Sequence, residues 1–456
     1  MKKLSTYILV AALLVVGCKK KYDDTINGQT PDERVAAAMA AYQKKLTSAP
    51  YGWILLETTT GTAVNGTTET GPVATFAYFM QFTDSNKVTM FSDFDTVMAA
   101  VPKTSDYRVK SLQRPALIFD TYSYIHVPTD PDPTISKSPF GTSYGWGADF
   151  EFSFADNVDP SKLGDTITLT GNLNSAKAVM VKATQAQRDA YYNGALKSTM
   201  VAWGSIQNYF KRVTGGPTTF ELTPGLGGAK SVDVNWLSGT GALQSAATSI
   251  YFTAGAVNLV TAPNINNVAV KSFSNIVYNT STSTITASIN GSTAVTIAGN
   301  AAPIKVDLNA PSAWWNKAAS IDEYWVTETN FHVNGVDDAY GIANTASYAG
   351  FSIFWPRFDV FNGVIFDLLS PIVYDNTGNV AINFGAGYRP PTFTAGGTVI
   401  FRLYVTLGTS PSNFVSMRNK MAESTGYYLI LKEDGLTYDM VNVADAKAWV
   451  RWEWVF

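Results

Sequence analysis

Thr284-Ile285-Thr286-Ala287-Ser288-Ile289-Asn290-Gly291-Ser292-Thr293-Ala294-Val295-Thr296-Ile297-Ala298 alternates apolar and polar residues on both sides of Asn290-Gly291. A period of two puts Ile285, Ala287 and Ile289 on one face of a strand, and Asn-Gly accepts the two positive φ angles of a type I′ turn. The stretch therefore reads as a β-hairpin, Thr284 to Ile289 and Ser292 to Ala298, with Ser and Thr facing water.

Upstream the pattern recurs in shorter pieces. Trp53 to Glu57, Thr75 to Phe82, Lys87 to Phe91, Tyr107 to Leu112, Ala116 to Thr121, Asp149 to Phe154, Asp165 to Thr170 and Ala178 to Lys182 are each bounded by turn residues. Such a series predicts a meander that closes into a barrel or sandwich. A helix from Pro31 to about Ser48 precedes it, with Thr30 as N-cap and Glu33 completing a capping box. Val35, Met39, Tyr42 and Leu46 share one face and are expected to be buried over an open barrel mouth. A second helix, Gln185 to Val213, reads as a packed connector, although Gly194 and Gly204 interrupt it. From about Asp322 the chain carries aromatic strand runs (Tyr324 to Val333, Gly350 to Trp355, Val399 to Leu407, Tyr427 to Lys432), a helix from Pro411 to about Glu423, and an alternating end, Trp449 to Phe456. No internal repeat is legible. The fold class is mainly β with a few helices: a leading helix and β-meander, then further β-sandwich-like regions.

At the N-terminus, Lys2 and Lys3 precede an apolar stretch, Tyr7 to Val16, then Gly17 and Cys18. As a helix that stretch spans about 15 Å, half of the roughly 30 Å hydrocarbon core, so residues 1–17 read as a secretory signal rather than a membrane span. Leu14 to Cys18 resembles a bacterial lipobox, and Cys18 is the only cysteine in the 456 residues. Cys18 is the expected lipidation site, and more than one acyl chain would make the attachment stable. Residues 18–29 then form a tether, 30–185 a β domain with its leading helix, 186–315 a connector and Ser/Thr/Asn-rich β region, and 316–456 an aromatic-rich β domain. Charged residues are 15% and aromatics 13%, a composition suited to a β-rich protein outside the cytoplasm. With 33 Lys and Arg against 36 Asp and Glu, removal of Lys2 and Lys3 with the leader leaves a net charge of about −5, which argues against nucleic acid as a partner.

An ordered set of segments resembles a known family. Thr30-Pro31-Asp32-Glu33-Arg34, Ala49-Pro50-Tyr51-Gly52-Trp53, Lys87-Val88-Thr89 with Ser92-Asp93, Pro115 to Tyr122, and Gly147 to Phe152 are together similar to a Bacteroidetes lipoprotein family, domain of unknown function 4302, over about residues 30 to 185. The resemblance implies a lipoprotein on the outer membrane facing the cell exterior, encoded beside a transporter barrel and its lipoprotein lid. It supplies no catalytic or binding residues.

Chemistry is sparse. His126 and His332 are the only histidines, and no zinc pattern, nucleophile elbow, phosphate loop or dinucleotide fingerprint is present. No cofactor or metal is expected. Asp93, Asp120, Asp149 and Glu151 are candidates for the carboxylate pair of a glycoside hydrolase. Their plain reading is turn-bonding for Asp93 and Asp120, and solvent exposure for Asp149 and Glu151. Tyr144 and Trp146 lie among glycines, and Trp314 and Trp315 follow Pro311-Ser312, so these four aromatics are the candidate stacking surfaces for a ligand. The expected function is non-catalytic capture of a glycan or peptide nutrient, anchored to the membrane and accessory to an outer-membrane transporter. A carboxylate-based surface hydrolase and a structural or adhesive accessory are the alternatives.

Overall fold

The computed structural model describes residues 29–60, 73–112, 114–138, 145–155 and 162–456. The signal segment, Cys18, the tether up to residue 28 and Tyr144 lie outside the described residues.

Helix α1, Pro31–Thr47, starts as its capping box requires: Glu33 N–H donates to the Thr30 hydroxyl and Thr30 N–H to Glu33 Oε2. Eight antiparallel strands follow (Trp53–Thr58, Thr75–Phe82, Lys87–Ser92, Lys103–Ser111, Pro115–Phe119, Glu151–Phe154, Thr166–Gly171, Lys177–Lys182) and close into a barrel when the last pairs with the first. Alternation sends Trp53, Leu55, Tyr78, Met80, Val88 and Met90 inward. Tyr42 and Leu46 of α1 join that interior: Tyr42 stacks on Phe154 at 4.3 Å, and Trp53 Nε1 donates to the Leu46 carbonyl at 2.9 Å. Val35, expected to be buried, is 44% exposed, because it sits two turns before the helix meets the barrel.

The expected long second helix is two helices and a strand. Helix α2, Gln185–Tyr192, stops before Gly194, which takes a left-handed φ of 77°; helix α3, Ala195–Gly204, follows, and Phe210–Thr214 is a strand. That strand opens a second closed barrel, with Phe220–Pro224, Ser231–Leu237, Leu243–Thr253, Ala256–Leu259, Ser272–Asn279, Thr284–Ile289 and Thr293–Asn300. The Asn290-Gly291 hairpin is present with φ of 50° and 76°, and Ser292 is carried as an extra residue, so that Ile289 faces Thr293. Outward-facing Phe79 and Phe91 of the first barrel pack on Tyr191 of α2, at 4.9 and 6.0 Å between rings. They belong to the same apolar cluster as the second barrel's core.

Helix α4, Ala310–Ala319, leads into a ten-stranded sheet, eight of whose strands form a ring that Val326 closes by bridging Glu453. Helix α5, Ser412–Met421, connects two of those strands and buries Phe414, Met417 and Met421. A helix followed by a closed or nearly closed antiparallel sheet thus occurs three times, an architectural repetition with no counterpart in the sequence pattern. No described helix is long and apolar enough to cross a membrane.

Candidate functional site

The second barrel's mouth meets the third sheet across a cleft of about 610 Å³. That volume lies in the ordinary range for small-molecule sites, which favour junctions between packed bodies. Its floor is apolar: Met200 and Trp203 of α3, Ile206 after it, and Leu222, Ile250 and Phe252 of the barrel. Lys211 interrupts this floor. In the strand Phe210–Thr214, residue 213 belongs to the barrel core, and Lys211 stands two residues away on the same face, opposite Leu222 and Gly299. A side chain at Gly299 would collide with Asn208, so the glycine makes room for Asn208 beside Lys211 at the mouth. Among the described residues, the Lys211 ammonium has no hydrogen-bond or ion-pair partner, and burial lowers its pKa to about 8.

The facing wall is polar. It carries Glu328, His332, Asp337, Trp449 and Glu453. His332 Nδ1 lies 2.7 Å from Asp337, and its ring stacks on Trp449 at 4.9 Å. Burial raises the Glu453 pKa, and the neighbouring Glu328 charge adds to the rise.

Two buried polar joints fix the walls. Where the barrels meet, Asp93 accepts from Ala77 N–H, Phe252 N–H and the Lys230 ammonium, and Lys230 also donates to the Thr75 carbonyl. Asp93 is fully buried. Where the second barrel meets the third sheet, Lys432 pairs with Asp233 and donates to the Pro224 carbonyl, and Arg451 holds Asp439 through two nitrogens and donates to the Gly225 carbonyl. Tyr209 O–H donates to Asp439 at 2.7 Å. Burial opposes ionisation of Asp439, but Arg451, Lys432 and these hydrogen bonds outweigh it and hold the carboxyl below the usual range.

Of the aromatics singled out in the sequence, the three that are described, Trp146, Trp314 and Trp315, are not open platforms. Trp146 is 6% exposed, donates from Nε1 to the Ser136 carbonyl and meets Phe76 edge-on. Trp314 is fully buried within α4, stacked on Trp325 at 5.8 Å, because Pro311 sits in the first turn of a helix rather than in a loop. Trp315 is half-buried and donates from Nε1 to Asp367 at 2.8 Å. None of the three lines the cleft. Asp149 is also buried rather than solvent-facing: it accepts from the N–H groups of Leu173, Asn174 and Ala176, and its own N–H donates to Glu57. A side chain at Gly171 would overlap Asp149, so only glycine fits there. Asp120 pairs with Arg108 on the surface, and Glu151 is half-buried on the first barrel. Asp93, Asp120, Asp149 and Glu151 do not line the cleft, and Asp93 meets it only through the Phe252 N–H from behind. His126 is held by Ser123 N–H and the Phe119 carbonyl, as a structural imidazole would be. Among the described residues, no group of three or more His, Cys, Asp or Glu side chains is placed to hold a metal.

Sequence reasoning missed the cleft. Reading Phe210 to Thr214 as a strand would have exposed its signal, a lysine on the same face as Val213.

Comparison with known proteins gives one family. The model described as "Domain of unknown function (DUF4302)" matches residues 23–279, beyond the expected 30 to 185 and into the second barrel. No curated protein matches. Among solved structures, a DNA polymerase III subunit beta sliding clamp from Bartonella birtlesii is 8% identical, covers 93% of this chain and 98% of its own, and has a TM-score of 0.13. A mutant of the vaccine antigen transferrin binding protein B from Haemophilus parasuis is 11% identical, with coverages of 88% and 75% and a TM-score of 0.12. Likeness at that level carries no argument.

Proposed function

The chain belongs to the family described as domain of unknown function 4302, and from that premise we propose a non-catalytic, lipid-anchored surface protein that captures a glycan or peptide nutrient at the mouth of its second barrel. The observation that carries this reading is the cleft: about 610 Å³, apolar at its floor, with unpaired polar groups converging on it from two bodies. Two further points support it. Of the carboxylates considered for hydrolysis, Asp93, Asp120 and Asp149 are held in structural hydrogen bonds or ion pairs, and neither they nor Glu151 line the cleft. The lipobox at Cys18 would tether the molecule at the membrane, where a captured nutrient passes to an outer-membrane transporter.

The test is a glycan and peptide array on the full chain purified in detergent, followed by titration of the best ligand. Trp203→Ala removes floor surface, and Gln207→Trp fills the cleft from an exposed rim position. Each should weaken binding about tenfold or more, a loss of about 1.4 kcal/mol. Unchanged affinity in both folded variants places the ligand elsewhere.

A further inference from the structure

We infer that the cleft is built for a short peptide with both ends free, its C-terminal carboxylate on Lys211 and its terminal ammonium on the wall bearing Glu328, Asp337 and Glu453. This rests on the cleft being the ligand site.

On the barrel wall, Lys211 points inward among Leu222, Ile250 and Trp203 with no anion to meet it among the described residues. Lys211 is half-buried, and a partly desolvated cation without a counter-ion is costly, a cost that a ligand carboxylate would remove with a charge-assisted hydrogen bond. On the third-sheet wall, neither Glu328 nor Glu453 has a cation partner among the described residues, and the two repel one another. Arg451 offsets the Glu453 charge only in part, because its hydrogen-bond donors go to Asp439 and the Gly225 carbonyl. His332 takes one oxygen of Asp337.

A neutral sugar would leave all these charges unanswered. A fatty acid would answer only Lys211, and a simple amine only the acids. A zwitterion answers both, and a peptide carries its two charges at opposite ends of one chain. The apolar floor between them suits an apolar side chain at the carboxyl end.

The experiment titrates the full chain in detergent with Ala-Ala-Xaa tripeptides, Xaa covering each natural side chain, by calorimetry. The best binder is then compared with its C-terminal amide and its N-acetyl form. The amide should bind about tenfold or more weakly, and the N-acetyl form several-fold more weakly. Lys211→Met should bind acid and amide alike, and Glu328→Gln with Glu453→Gln should bind free and acetylated N-termini alike. Retained thermal unfolding shows that the variants are folded. Equal affinity for all three forms, or acid preference that survives in Lys211→Met, overturns the inference. If no tripeptide binds while a neutral glycan binds and weakens in Gln207→Trp, the peptide inference falls and the cleft reading stands. If no ligand depends on Gln207 or Trp203, both fall.

Discussion

Lys211 and Glu57 are both ionisable groups short of partners, and they differ in access. Lys211 faces a cleft, so its charge is available to a ligand. Burial lowers its pKa to about 8, so the ammonium is present below that pH and lost above it. The other groups lining the cleft are Glu328, His332, Asp337, Arg451 and Glu453. Acid preference over the amide should therefore be full near about pH 6 and fall about tenfold per unit above about pH 8. Glu453, whose pKa is raised, should weaken ammonium binding at the acid end. Calorimetry across pH checks both limbs. Glu57 is sealed inside the first barrel. Burial raises its pKa well above the ordinary value, and Asp149 reinforces this by charge although its N–H bond opposes it; Glu57 Oε2 and Tyr78 O–H have no hydrogen-bond partner. A raised carboxyl costs no stability below its unfolded pKa of about 4.3, and the cost grows as pH rises from there. Glu57→Gln should accordingly stabilise by about 1 to 3 kcal/mol at pH 7 and by little at pH 4, measured by urea unfolding at the two pH values.

Elements were legible where their signals are local. Thr30 to Glu33 announces α1 through hydrogen bonds within one turn, and the run Thr75 to Phe82 is a strand over those residues because its ends are marked by turn residues. The helices misread are those where one residue type has two meanings. Pro311 near Trp314 suggested a loop but sits in a helix's first turn, and Gly194 and the strand Phe210–Thr214 divide what looked like one long helix. Exposure of Trp314 was misjudged for the same reason, since it was inferred from a loop context that Trp314 does not have. Within α1 the contacts grade sharply. Leu46 is 1% and Val35 44% exposed, so Leu46→Ala should cost about 2 to 5 kcal/mol while Val35→Ala should change stability by less than about 0.5 kcal/mol. Chemical denaturation followed by tryptophan fluorescence separates the two, and equal losses would mean that the whole face of α1 packs on the barrel.

At the scale of the molecule, closure of the first meander was expected as a barrel or sandwich, but closure of the second barrel and the cleft were not legible, because both depend on pairings between distant segments. Arg451 and Gly225 are 226 residues apart and Lys230 and Asp93 137 apart, yet these contacts set how the bodies sit. The joints should therefore carry stability. Lys230→Met strands the fully buried Asp93 and should cost about 3 to 5 kcal/mol, with part recovered on adding Asp93→Asn. Full additivity of the two substitutions in thermal unfolding would show that the pair is not a joint. The central claim is that the ligand sits between the second barrel and the third sheet. Hydrogen–deuterium exchange of the full chain, with and without the best ligand from the array, tests this most directly. The account predicts slowed exchange confined to the cleft walls, Phe210–Thr214, Phe220–Pro224 and Ala448–Glu453 with the segment 328–337. Protection on the first barrel or on the outer face of the third sheet, with these segments unchanged, would contradict it.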